Sequence, residues 1–178
     1  MTNFKAIGDD VFIDKKAIIK RAHLVSFGSH CAVDAGAFIT TRASIGSYVH
    51  IGPYVTIIGG EGGEIIIEDF ATIAAGARII CRGEEHLGFG LIGPTIPEAY
   101  TDKLIGGKVR INKFANILTN AVVFPGITIG VGAVIGANTV MHMDAEPWTI
   151  YLGNPARKIK KRDGSRMIAF ADKLLKKE

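Results

Sequence analysis

The sequence predicts an all-β solenoid, on three observations. An aliphatic residue recurs at every sixth position through most of the chain, a small or compact apolar residue follows it four places later, and the register is interrupted only by a few insertions. From Ile111 onward the aliphatic positions are Ile111, Ile117, Val123, Ile129, Ile135 and Met141, and the fourth places hold Ala115, Ala121, Ile127, Ala133, Thr139 and Ala145. The same frame runs earlier through Phe27, Val33, Ile39, Ile45, Ile51 and Ile57, with Cys31, Ala37, Ala43, Val49 and Val55 behind them. It returns at Ile67, Ile73 and Ile79 and is weaker at Ile7, Ile13 and Ile19. A helical face repeats every 3.6 residues and a strand face every 2, so neither gives a period of six. A coil of three short strands does: each sixth residue points to the axis and stacks on its equivalent in the next coil, while small residues fit the corners.

The frame slips in three places. Two extra residues fall between Ile19 and Phe27, and the Gly-rich stretch "GGEGGE" at 59–64 separates Ile57 from Ile67. The third break is longer: from about Arg82 to Lys108 the repeat gives way to "RGEEHLGFGLIGPTIPEAYTDKLIGGK". Insertions in a solenoid emerge as loops on one side, often the binding side, and a structureless loop of this length is usually functional. After Met141 the pattern ends. Met167, Phe170, Ala171, Leu174 and Leu175 then follow helical spacing, which predicts an amphipathic helix starting near Asp163 to Ser165. That helix is expected to cover the end of the solenoid, where an unpaired strand edge is otherwise exposed. The expected organisation is a β-helix domain over 1–153, with a protruding loop at about 82–108, followed by a basic tail and helix over 154–178.

Composition narrows the function classes. The two cysteines, Cys31 and Cys81, have neither a CxxC nor a zinc-type spacing, which points to free thiols in a reducing compartment. The first residues, "MTNFKAIGDD", lack the charged start and apolar core of a secretory signal, so a cytoplasmic protein is expected. After Gly153 there are 9 Lys/Arg against 3 Asp/Glu, whereas the chain up to that point carries 12 against 14. Basic charge confined to one tail, without stacking aromatics or a recognition helix, argues against nucleic acid. The stretch from Ala121 to Ala137 is apolar and approaches membrane length, yet it holds four glycines and a proline and keeps sixfold register with charged coils. It reads as the last coils of the solenoid, and no membrane insertion is expected.

Taken together, the repeat, the "PGITIG" of the final coils and the "GNPARKIK" that follows resemble the hexapeptide-repeat acyltransferases. The resemblance implies a left-handed parallel β-helix, an acetyl-CoA-dependent acetyltransferase acting on a hydroxyl or amino group of a sugar or nucleotide sugar, a homotrimer with sites between neighbouring helices, and no required metal. Left-handed coiling departs from the usual right-handed crossover of parallel strands. The loop phrase "PTIPEAYTDK" resembles one in acetyltransferases of surface-polysaccharide pathways. No helical domain precedes the repeat, unlike in serine acetyltransferases.

By the same resemblance His86, in the long loop, is the candidate general base. An imidazole titrates near neutrality and can accept a proton at cytoplasmic pH. Glu84 or Glu85 is the candidate to hold its other nitrogen. The pantetheine arm would run beside Thr119, Ala121 and Ala137, with backbone groups pairing to its amides, and Arg157 and Lys160 would hold the coenzyme phosphates. Lys173, Lys176 and Lys177 read as solvated helix charges. Arg82, Tyr100 and Asp102 are candidate acceptor contacts, as is Asn116, which replaces the Trp that many relatives carry. His142 and Met143 replace a common Thr-Lys pair. His23, His30 and His50, within the repeat, read as surface or corner residues. Two other classes compete: a γ-class carbonic anhydrase, which needs three histidines converging on zinc, and a catalytically silent β-helix scaffold.

Overall fold

Residues 3–176 are described by the computed structural model; Lys177 lies outside them. The chain winds into a left-handed parallel β-helix of about seven turns. One face stacks Ala6–Ile7, Val25–Phe27, Arg42–Ile45, Glu64–Ile67, Lys108–Ile111 and Thr128–Ile129. A second stacks Phe12–Ile13, Ala32–Val33, His50–Ile51, Thr72–Ile73, Asn116–Ile117, Val134–Ile135 and Thr149–Leu152. The third stacks Ile18–Ile19, Phe38–Ile39, Thr56–Ile58, Arg78–Ile80, Val122–Val123 and Val140–Met141.

The sixfold frame is the core. From Phe27 to Met141 every aliphatic position of the repeat is buried, and Ile73, Ile117 and Ile135, stacked in consecutive coils of the second face, have no exposed surface. Each fully buried side chain of this size contributes about 1.5–3 kcal/mol. The fourth-place residues, Ala71, Ala77, Ala115, Ala121 and their equivalents, are buried at the corners. Cys31 and Cys81 are buried free thiols, and burial pushes Cys81 up to about 12. The weak repeats of the first coil have a physical reason: nothing stacks above them, so Ile7 is half exposed, and Phe4 packs edge-on against Phe27 to cover part of the open end.

One corner carries a column that the spacing did not reveal. His30, Tyr48, Phe70, Phe114 and Trp148 occupy equivalent places between the first and second faces, all with φ between 54° and 63°, and stack ring on ring at 4.8–6.1 Å. A left-handed backbone is unfavourable for a bulky L-residue by roughly 1–2 kcal/mol, and ring stacking returns about 0.5–1.5 kcal/mol per pair. Gly132 sits where one more ring would fall; a Cβ there would meet the Trp148 indole, so Trp148 reaches back over it to Phe114. Arg162 closes the column from the tail: its guanidinium lies over Trp148 and donates to the carbonyls of Gly132 and Phe114.

All three register breaks emerge at the same corner, where the third face hands over to the first. The terminal helix, Ser165–Leu175, begins where the spacing predicts, but it covers a different surface. Met167, Phe170, Ala171 and Leu174 face Phe70 and Phe114 across an apolar cleft of about 270 Å³, so the helix lies along the flank of the middle coils. The open edge of the last coil is covered instead by Arg157–Lys161, which pairs antiparallel with Thr149–Leu152. A β-edge is satisfied best by backbone donors in register, which a helix cannot supply.

Candidate active site

The long loop is not structureless. Its stem is an antiparallel ribbon of Arg82–Glu84 with Leu104–Gly106. The stem leaves the coil tightly: a Cβ at Gly106, whose φ is 94°, would meet both the Pro125 ring and the Cys81 carbonyl. Further out, Leu91 donates to the Tyr100 carbonyl, Asp102 to that of Leu91 and Glu85 to that of Lys103, so the excursion holds its shape by its own backbone bonds. Between stem and inner turn is a cleft of about 320 Å³ bordered by Glu84, Gly93, Ile96, Glu98, Thr101 and Leu104. It carries two carboxylates and no cation among the residues that line it.

Asp102, in the same inner turn, is almost fully buried at 3% exposure. One of its oxygens accepts the Lys103 N–H at 2.8 Å; the other has no hydrogen-bond partner among the described residues. Leaving a buried charge-bearing oxygen unbonded costs about 1–3 kcal/mol or more. Tyr100 is exposed beside it, whereas the Arg82 side chain turns away to lie over Gly62 of the Gly-rich break. His86 is exposed on the loop with φ 59°. Glu84 accepts the Gly93 N–H at 3.2 Å, and neither it nor Glu85 bonds His86 within the single chain. The other sequence-derived acceptor contact, Asn116, is on the second face, remote from the corner where the loop departs, and donates to the Phe114 carbonyl at 2.9 Å.

The candidate coenzyme wall is the corner between the second and third faces. Thr119 and Ala137 are exposed at equivalent places one coil apart, and among the described residues their N–H groups have no backbone carbonyl acceptor. Ala121 is buried behind them and keeps the corner narrow. Toward the C-terminus, Arg157 is paired across from Leu152, whose side chain lies over Gly136 beside Ala137. Lys158 and Lys161 are both engaged by Glu146, at 2.7 and 3.1 Å, and these bonds hold its carboxyl below the usual range. Of the four cations on this closing strand, Arg157 and Lys160 are exposed and form no ion pair with the described residues. His142 and Met143 lie exposed at the start of the last turn.

Sequence reasoning missed Glu98, which shares the loop cleft, and set aside His50, which is bonded to Asp34 at 2.8 Å. The spacing held the signal for the second: His50 is 18 residues after Ala32, one full coil, so Asp34 falls diagonally beside it.

A parallel β-helix with an excursion loop after its fourth coil and a cationic closing strand is the architecture of a coenzyme-dependent acyltransferase. The chain belongs to the hexapeptide-repeat acyltransferase family. It is 32% identical over 162 residues, 89% of its own length and 83% of the relative's, to the dTDP-4-amino-4,6-dideoxy-D-glucose acyltransferase of Escherichia coli. It superposes with TM-score 0.92 and 33% identity on AntD, an N-acyltransferase of Bacillus cereus solved with dTDP and 3-hydroxybutyryl-CoA, over 98% of this chain and 91% of that one. A probable macrolide acetyltransferase of Lysinibacillus sphaericus is 35% identical over 129 residues, covering 64% of this chain and 68% of that protein. No family model matches the chain.

Proposed function

We propose that the protein transfers an acyl group from an acyl-coenzyme A to the amine of a nucleotide-linked amino sugar, working as a homotrimer in a reducing compartment. The observation that carries the choice of acceptor is the loop: two carboxylates line one cleft and a third, Asp102, is buried with an unsatisfied oxygen. Such a surface favours a cationic group over a neutral hydroxyl. The likeness to an amino-sugar acyltransferase and to AntD supports the same acceptor class. Trimer formation is supported by the apolar loop surface, where Leu87, Phe89, Leu91 and Tyr100 are exposed together.

In this reading the coenzyme lies along the corner of Thr119 and Ala137, its amide carbonyls taking the two N–H groups and its phosphates meeting Arg157 and Lys160. The loop of a neighbouring copy brings His86 to the thioester end. His86 takes a proton from the attacking nitrogen as the C–N bond forms, the tetrahedral oxygen is stabilised by backbone N–H groups, and the coenzyme thiolate leaves. One experiment tests this: acetyl-CoA and 3-hydroxybutyryl-CoA are offered with dTDP-4-amino-4,6-dideoxyglucose, free sugars and hydroxyl analogues, following thiol release and product mass. We expect an amide product on the amino-sugar nucleotide, and His86→Ala to lower kcat/KM by about 10²–10⁴. Near-full kcat/KM in His86→Ala would remove the base from this account.

A further inference from the structure

The second face carries a row of outward side chains whose order is set by strand register: Ala32, His50, Thr72, Asn116, Val134 and Ile150 lie side by side, one per coil, and Lys160 follows across the antiparallel strand. His50 is the one imidazole in this row. Its Nε2 is 2.8 Å from Asp34 Oδ2, its side chain is 48% exposed, and it stands on a rigid strand whose neighbour Ile51 is fully buried. The other repeat histidine with a carboxylate partner, His30, differs: its ring is clamped in the aromatic column against Tyr48. With Nε2–H directed to Asp34, the remaining nitrogen of a neutral His50, Nδ1, presents a lone pair, which is the arrangement of an oriented proton acceptor.

The row also runs alongside the coenzyme wall. An extended pantetheine arm is about four residue-lengths, or roughly 14 Å, which equals about three rungs of sheet at about 4.8 Å each. Starting beside Ile150, next to Lys160, it ends level with Thr72, one rung from His50. The strand-held imidazole thus stands on the face that borders the coenzyme corner, one rung beyond the level that an arm of this length reaches.

We propose that His50, oriented by Asp34, is a second proton acceptor of the reaction, taking the first proton of the acceptor's ammonium group. This rests on the reading above, that the acceptor is an amine. A sugar ammonium has two protons to lose before it becomes an amide, and the leaving thiolate takes only one. His50 Nδ1 removes the first, giving an imidazolium paired with Asp34 and a free amine. The amine lone pair attacks the thioester carbon; the second N–H proton passes to His86 of the neighbouring copy and on to sulfur as the C–S bond breaks. His50 returns its proton to water through its exposed edge. The balance is ammonium plus thioester giving amide, thiol and one released proton.

The test compares two acceptors that differ in that first proton: dTDP-4-amino-4,6-dideoxyglucose and its aminooxy counterpart, whose nitrogen is neutral at pH 7. His50→Gln should lower kcat/KM on the amine by about 100-fold or more while staying within about fivefold on the aminooxy compound. Asp34→Asn should shift the same ratio in the same direction by about tenfold, and it decides the matter alone if His50→Gln fails to fold. Light scattering and melting temperature of both variants should match the wild type. Equal losses on both acceptors, no loss on the amine, or a changed assembly state would overturn the assignment. If the wild-type enzyme acylates neither acceptor, the amino-sugar reading fails and this inference falls with it; if it acylates both and the variants do not discriminate, only this inference fails.

Discussion

The coils and the loop between the fourth and fifth of them use apolar residues in opposite ways. Ile73, Ile117 and Ile135 stack along the axis with no exposed surface, whereas Leu87 and Phe89 in the loop are 65% and 83% exposed. The coil residues find their partners one rung away in the same chain; Leu87 and Phe89 leave most of their surface uncovered by it. The difference teaches that the coils complete their packing within one chain, while the loop keeps apolar surface available for a partner, as the proposed shared site requires. The same contrast divides the histidines. His50 is held by a carboxylate on a strand, while His86 stands on the loop with neither flanking glutamate bonded to it.

The contrast can be broken at its stable half first. Ile117→Ala opens a cavity between Ile73 and Ile135 and should cost about 2–5 kcal/mol, read as a lower midpoint in urea; a loss under 1 kcal/mol would mean that the coils do not share one continuous core. A smaller effect is expected at the coenzyme wall. Arg157→Ala should raise KM for acetyl-CoA by roughly 10–100-fold, with kcat nearly unchanged, because a charge-assisted bond is worth about 1.5–3 kcal/mol. The penalty should shrink at high salt, and a loss in kcat alone would move Arg157 away from the phosphates.

The smallest effect belongs to Glu146. Bonds from Lys158 and Lys161 depress its carboxyl, so its contribution to stability is present above the ordinary carboxylate range and is lost as pH falls through the lowered value. All three groups are exposed, so Glu146→Gln should shift the melting temperature by only about 1 °C or less. It also frees two lysines beside Arg157, and acetyl-CoA affinity measured by calorimetry should rise rather than fall.

How much of this was legible in the sequence follows from what repeats. The period of six located the core residue by residue, because each six-residue repeat uses the same two inward positions. The insertions were visible as slips in register, and all three do emerge at one corner. The aromatic column was hidden because its members are separated by 18, 22, 44 and 34 residues, intervals that become equivalent only after the insertions and the glycine at position 132 are accounted for. Helical spacing gave the last helix and its apolar side but not the surface it meets, since Phe70 and Phe114 are brought to one flank by coiling alone. In the loop, Tyr100 and Asp102 were legible as polar residues in an irregular segment. The partnerless oxygen of Asp102 and the pairing of Glu84 with Gly93 depend on how the inner turn folds back, which no local pattern encodes. The pairing of His50 with Asp34 is between coils and needs the strand register.

The central claim, that one chain's loop acts on a neighbour's coenzyme wall, is tested most directly by mixing two impaired variants. His86→Ala and Arg157→Glu chains, each strongly impaired alone when acetyl-CoA is held below the raised KM, are unfolded together, refolded as mixed trimers and assayed at that acetyl-CoA concentration with dTDP-4-amino-4,6-dideoxyglucose. If the site is shared, random assembly leaves about one interface in four with both wild-type residues, and roughly a quarter of the wild-type rate returns. If each chain carries its own complete site, the mixture stays as impaired as its parents.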